Sequence, residues 1–290
     1  MSLLSEKLKK GEFVVTSEVG PPKGANVEGM LEEAKQLGER VQAINVTDLQ
    51  SSVMRVGSLA VSKLLLDNGL EPVYQLTCRD RNRLALQSDL LNAFVFGIQN
   101  VLCITGDHTC LGDHPEAKPV FDLDSVSLLQ TAVTLESGKD LSGNELDGSP
   151  SFFKGAVVAP AADPVEPQLI KMEKKLAAGA QFFQTQAVYD PKQFESFMKK
   201  AQTFGVPVLL GLVLLKSPGM AKFMNENVAG VFVPDEIIKE MDVDKKDRKK
   251  KSMEIAVRLI KQMKSMCQGV HFMPLGWESL VLEIMGEAGL

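Results

Sequence analysis

Along the chain, short runs of Val, Ile, Leu and Phe alternate with longer segments in which apolar residues recur every three or four positions. The short runs predict strands at 13–18 (FVVTSE), 43–48 (AINVTD), 72–77 (PVYQLT), 100–105 (NVLCIT), 154–159 (KGAVVA), 182–188 (FFQTQAV), 207–215 (PVLLGLVLL) and 270–275 (VHFMPL). The longer segments, such as VEGMLEEAKQLGER, LALQSDLLNAFVFGI, EPQLIKMEKKLAAGA and PKQFESFMKKAQTFG, predict helices, several of them closing on the glycine that helix C-termini favour. Strands alternating with helices imply a parallel sheet, and eight such units in 290 residues fit a (β/α)8 TIM barrel. Extra helices are expected after the seventh strand, near 218–226, 234–241 and 245–266. The polar stretch ESGKDLSGNELDGSP (136–150) reads as a loop, because the alternation resumes directly after it, so residues 1–290 are expected to form one barrel domain.

Composition narrows the class of protein without naming a chemistry. With 44% hydrophobic and 24% charged residues the chain suits one large soluble domain or two small ones, and its net charge of −5 gives no reason to expect nucleic acid or an anionic membrane as partner. No apolar run approaches the roughly 18 residues of a membrane span, VPVLLGLVLL being far too short. The start, MSLLSEKLKKGEF, is amphipathic and lacks the apolar core of a signal peptide. Cys78, Cys103, Cys110 and Cys267 are scattered with no CxxC pair, so reduced thiols in a cytoplasmic protein are expected. The basic run DKKDRKKK (244–251) reads as a solvated helix start, and the thirteen methionines as core filler.

A barrel makes a sharp statement about location, since such folds carry their sites at the C-terminal ends of the strands. The polar residues there are Thr16 and Glu18; Asn45, Thr47 and Asp48; Gln75 and Thr77; Thr105, Asp107 and His108; Gln184 and Gln186; and Ser217, with the small Gly106 and Ala159 among them. Most strands contribute, which marks a site. GDHTCLGDH gathers His108, Cys110, Asp113 and His114, but its spacing matches no standard zinc motif. GxSxG, a Walker loop and GxGxxG after a strand do not occur. What remains is acid–base and binding chemistry on a flat polar ligand. Thr, Asn and Gln beside small residues suit a heteroaromatic ring read by hydrogen bonds, with Asp107 free to approach the ring's N–H groups. Glu18, leaving an apolar strand where burial disfavours a carboxylate, is the natural general acid. His271 reads as a satisfied core histidine and Trp277 as packing against the barrel base.

Seven segments, TSEVGPPKG, INVTD, LTCRDRNR, NVLCITGDH, GDHPEAKPVFDLDS, KKLAAGAQFFQTQAVYD and VHFMPLGWE, together resemble the methylenetetrahydrofolate reductases, flavoprotein (β/α)8 barrels, over about residues 12–288. The resemblance implies reduction of 5,10-methylene-tetrahydrofolate to 5-methyl-tetrahydrofolate by a flavin hydride. It implies that Glu18 is the general acid that protonates N10 as the methylene bridge opens, and that Asp107 contacts the pterin and tunes the flavin. Gln186 matches the glutamine that binds the folate ring, and Thr16 stands where small hydroxyl residues neighbour the acid. Thr47, Gln75, Thr105, Gly106, Asp107, Ala159 and Lys175 fall on flavin-binding positions. FAD is the implied cofactor. Many members have His in place of Gln75 and Arg in place of Thr105, and losing both weakens a charged grip on a diphosphate, which makes FMN the alternative. Ser217 stands where NADH-using members carry a stacking phenylalanine. The expected electron donor is therefore NADH or, in place of it, an iron–sulfur partner subunit, within a homo- or hetero-oligomer.

Overall fold

The computed structural model describes residues 1–38 and 40–290; residue 39, next to last in the first helical pattern, lies outside the described residues. Eight strands, β1 (Val14–Val19), β2 (Ala43–Val46), β3 (Pro72–Thr77), β4 (Asn100–Ile104), β5 (Phe153–Val158), β6 (Phe182–Ala187), β7 (Val208–Val213) and β8 (Gly269–Met273), each pair in parallel with the next, and β8 pairs with β1 to close the barrel. Between and around them run α1 (Leu3–Lys9), α2 (Glu28–Gly38), α3 (Ser58–Asp67), α4 (Arg83–Val95), α5 (Ser125–Glu136), α6 (Glu166–Ala177), α7 (Pro191–Ala201), α8 (Pro218–Asn227), α9 (Asp235–Glu240), α10 (Arg248–Met263) and α11 (Ser279–Ala288). The chain is thus a (β/α)8 TIM barrel in which the β7–β8 connection carries three helices, α8 to α10, as the sequence predicts. Strand ends shift by at most two residues, at β2, β7 and β8, where the last predicted positions turn out of the sheet into the loops above it.

Because successive side chains on a strand alternate between faces, every second residue points into the barrel. The inward positions form layers. The lowest is apolar: Val14, Ala43, Val73, Leu102, Phe153, Phe182 and Leu209 make one cluster, with the Phe153 and Phe182 rings stacked 4.8 Å apart. Helix α1, which the sequence marks only as an amphipathic start, closes this end by burying Leu4 and Leu8 against that layer. Gly155 faces Phe182 so closely that a Cβ would sit 2.3 Å from the ring, so glycine is what lets the phenylalanine fill the barrel there. The next layer is polar, with Thr16, Asn45, Gln75, Gln184 and His271 all buried. Above it Glu18, Thr47 and Thr77 reach the C-terminal rim. The outward positions, such as Val15, Val19, Ile44 and Tyr74, pack against the helices as the main core. An apolar plug below and polar layers above are what place a hydrophilic cavity at one end only.

Candidate active site

A cavity of about 350 Å³ opens at the C-terminal ends of the strands, within the range of small-molecule sites. Glu18 is the last inward residue of β1, and its side chain is only 8% exposed. Its Oε2 lies 3.8 Å from Nε2 of His271, on the neighbouring β8. The other ring nitrogen, Nδ1, lies 2.9 Å from the Thr16 hydroxyl. Gln184 donates to Thr16 Oγ1 at 3.4 Å and to Asn45 Oδ1 at 3.1 Å, while Asn45 donates back to Gln184 Oε1 at 2.8 Å. The Thr16 hydroxyl, which accepts from Gln184, can either donate to Nδ1 or accept from it, and this contact holds the ring with its Nε2 edge facing Glu18. The polar layer thus holds the Nε2 edge of a histidine toward a buried carboxyl group.

Asp107 is exposed on the loop after β4, at the cavity wall. It follows Gly106, whose φ of +90° few other residues adopt and where a Cβ would sit 3.2 Å from Cβ of both Arg79 and Thr77. Gln75, Thr105 and Gln186 also line the cavity, and Thr105 Oγ1 accepts from the Ser125 backbone at the start of α5, 3.1 Å away. The Thr47 hydroxyl lines the cavity, buried and without a hydrogen-bond partner. Lys175 reaches the cavity from α6 and donates to the Val157 carbonyl at 2.6 Å. Burial, followed by the nearby Lys171 charge, lowers its pKa to about 8. A second recess of about 310 Å³ shares Thr105, Lys175 and Gln186 with the cavity and adds Ala159, Lys171, Lys174 and the first turn of α5.

Eight of the ten residues to which the resemblance assigns a role therefore line one cavity. The other two do not: Thr16 lies beneath the floor in the polar layer, and Ala159 belongs to the adjoining recess. Ser217 is outside the cavity lining as well; it caps α8, accepting from the Met220 backbone at 3.0 Å. Trp277 lies on the loop after β8, at the mouth end of the barrel and not at its base, beside Lys216 and Lys249.

His271 was legible only as a core histidine, because its neighbours Thr16 and Glu18 lie some 255 positions away in the chain. The arginines of LTCRDRNR were missed too, although their repetition was a signal. Arg81 donates to buried Asp48 at 2.8 Å, and Asp48 also accepts from the Thr77 backbone and hydroxyl at 2.9 Å each. That carboxylate is committed to the scaffold. Asp113 likewise holds loops together, accepting from the Met54 backbone at 3.0 Å and pairing with Lys23; hydrogen bonds from Lys23 and His114 hold its carboxyl well below the usual range.

Comparison of the fold with solved structures finds an uncharacterized protein from Clostridium thermocellum that binds two copies of 5-methyl-5,6,7,8-tetrahydrofolic acid, with a TM-score of 0.65 and 17% identity over 99% of this chain and 98% of that one. A 2,3-dimethylmalate lyase aligns with a TM-score of 0.54 and 11% identity over 99% of this chain and 84% of that one. At these identities the likeness is one of fold. In sequence, methylenetetrahydrofolate reductase 2 of Schizosaccharomyces pombe is 26% identical over 321 aligned positions, which cover 99% of this chain and 47% of the relative. The chain thus spans about half the length of that curated relative. The sequence model of the methylenetetrahydrofolate reductase family matches residues 3–289, and the chain belongs to that family.

Proposed function

We propose that this chain is a single flavin-binding barrel domain that reduces 5,10-methylene-tetrahydrofolate to 5-methyl-tetrahydrofolate, with Glu18 as general acid. The observation that carries the reading is the buried Glu18–His271 pair in the wall of a cavity that Asp107 and Gln186 also line. Family membership supports it, as does a fold shared with a protein that binds 5-methyl-tetrahydrofolate.

The residues present fit a flavin. The orphaned Thr47 hydroxyl offers a hydrogen bond to a polar ring, and Gly106 lets a flat ligand come close to the backbone. The adjoining recess gathers Lys171, Lys174 and Lys175, whose charges suit a phosphate, beside the α5 N-terminus that the Asp124 carboxylate already caps. Thr47, Gln75, Thr105, Gly106 and Asp107 would hold the ring and its chain, with Lys175 and Ala159 toward the phosphate. FAD is the favoured form and FMN the alternative. Bound there, the flavin supplies a hydride to the one-carbon unit of the folate.

The protein's own groups do the rest. Asp107, after β4, and Gln186, on β6, bind and orient the pterin from neighbouring parts of the cavity wall. Glu18 gives its proton to N10 of the folate as the methylene bridge opens to an electrophilic iminium, a step that general acid catalysis accelerates by about 10²–10⁴. The Nε2 edge of His271 faces the carboxylate that remains, and an N–H there would stabilise it, while Thr16, backed by Gln184 and Asn45, holds the imidazole in that orientation.

The electron source follows from what surrounds the cavity. None of its described lining residues is Phe, Tyr or Trp, and Ser217 serves α8, so a folded nicotinamide would lack a stacking face worth about 0.5–1.5 kcal/mol. This supports delivery of electrons by an iron–sulfur partner subunit, with the protein working in a soluble cytoplasmic assembly. The purified holoprotein is expected to be yellow and to bleach on anaerobic titration with reductant. Acid release and chromatography then identify the flavin. A colourless protein that binds 5-methyl-tetrahydrofolate but no flavin would instead indicate methyl transfer without redox chemistry.

A further inference from the structure

Arg79 has no part in the chemistry above, yet it is among the largest fully buried side chains, 2% exposed in a chain whose other arginines are more accessible wherever they form ion pairs. Its guanidinium is anchored by Asp80, with Nε donating to Oδ1 at 2.9 Å and Nη2 to Oδ2 at 2.7 Å. The remaining donors go to two backbone carbonyls on different loops. Nη1 donates to the Asp107 carbonyl and Nη2 to the Leu49 carbonyl, each at 3.3 Å. One planar group therefore spans the loop after β2 and the loop after β4, which flank β3 and together supply one side of the cavity wall.

Both loops need holding. Leu49, Ser51 and Ser52 have φ of +46°, +55° and +59°, left-handed backbone that non-glycine residues adopt only at a cost in strain. The Leu49 carbonyl that Arg79 reaches also accepts from the Ser52 backbone, the bond that closes this turn. Gly106, just before Asp107, leaves the space that Cβ of Arg79 borders. The Arg79 carbonyl in turn accepts from the Val120 backbone at 2.7 Å, tying in the segment that leads to α5. Farther out, the loops meet backbone to backbone, Gly112 against the Ser52 carbonyl.

We infer that Arg79 is a positioning residue: by bonding the carbonyls of Leu49 and Asp107 together it fixes the spacing of the two loops and so the placement of Asp107 over the cavity. A lysine cannot do this, since its single ammonium lacks the planar fork that serves Asp80 and two carbonyls together. The role rests on the folate and flavin reading only for its consequence in binding. The geometric claim is testable without any ligand.

Replacing Arg79 alone strands the Asp80 carboxylate, so the informative variant is Arg79→Met combined with Asp80→Asn, compared with Asp80→Asn and Arg79→Lys. Hydrogen exchange of the ligand-free protein is expected to quicken at least tenfold at the Ser52, Val53 and Leu111 amides, while amides within β3 and β4 exchange as in the wild type. Titration of the flavin-free protein with FAD should show affinity lower by about tenfold or more, and Arg79→Lys should not restore it. In the flavin-loaded protein the loss of 5-methyl-tetrahydrofolate affinity caused by Asp107→Asn should shrink by severalfold in the Arg79→Met, Asp80→Asn background, because Asp107 is already misplaced. Wild-type exchange in both loops would overturn the inference, and so would a uniform rise through the barrel strands, which marks a merely structural residue. If the wild-type protein bound neither flavin nor folate, the reading of the site would fall, and the exchange measurement alone would decide the role of Arg79.

Discussion

At Asp107 a carboxylate stands exposed at the mouth while its backbone is held from below, so its charge can be removed without disturbing the core. Asp107→Asn is expected to weaken folate binding about tenfold and to raise the flavin reduction potential, since a nearby negative charge disfavours the more negative reduced form. A shift on the order of 30 mV, about 1.4 kcal/mol for a two-electron couple, is the expected scale. Potentiometric titration and folate binding to the same variant check both. Lys175 makes the opposite kind of prediction. Its folded pKa of about 8 lies below the ordinary value of 10.5. Between those values the unfolded chain holds more protons, so stability rises with pH across that window, and below pH 8 the buried charge is a full net cost. Lys175→Met is therefore expected to raise the melting temperature of the flavin-free protein at pH 7 and to lose that advantage above pH 10.5. It should nevertheless weaken flavin binding at pH 7 about tenfold. Melting curves at the two pH values, with a flavin titration, separate these effects. Glu18, Asp107 and Gln186 were legible in the sequence because strand ends in a barrel converge. The contacts around Glu18 were not, since His271 meets Thr16 only through closure of β8 on β1.

Helix α1 and the lowest barrel layer show what is legible at the scale of elements. The eight strands announce themselves as β-branched and apolar runs, and the three helices after β7 fall within a few residues of their sequence positions. The destination of α1 is different in kind. Leu4 and Leu8 are apolar positions on a short amphipathic segment, and only the layer assembled from seven strands gives them a place to go. Leu4→Ala is expected to cost about 2–5 kcal/mol, as a fully buried leucine does, and to leave substrate affinity unchanged because it acts at the opposite end of the barrel. Urea unfolding alongside a folate titration tests both halves of that statement. Ser217 shows the converse. Its position in the sequence implied a missing ring stack, and the structure gives the serine a local task as the cap of α8. Ser217→Ala should cost about 1 kcal/mol of stability, measured in the same way.

For the whole molecule, an apolar plug at one end and layered polar groups at the other turn the barrel into a one-sided vessel, and its order of elements was readable from periodicity alone. On the reading proposed above, its electrons come from a partner subunit. Stopped-flow mixing of the isolated oxidised holoprotein with micromolar NADH is expected to bleach the flavin slowly, whereas a low-potential artificial donor bleaches it fast. Rapid bleaching by NADH would remove the reason to invoke a partner. The account as a whole rests on Glu18 delivering a proton to a folate that takes up a hydride in the same cavity. The most direct measurement mixes the chemically reduced holoprotein anaerobically with 5,10-methylene-tetrahydrofolate, wild type and Glu18→Gln side by side, and follows flavin reoxidation and product. The wild type is expected to reoxidise and to yield 5-methyl-tetrahydrofolate. Glu18→Gln should bind flavin and accept electrons normally yet reoxidise slower by about 10²–10⁴. Equal rates in the two proteins, or no reoxidation in the wild type, would contradict it.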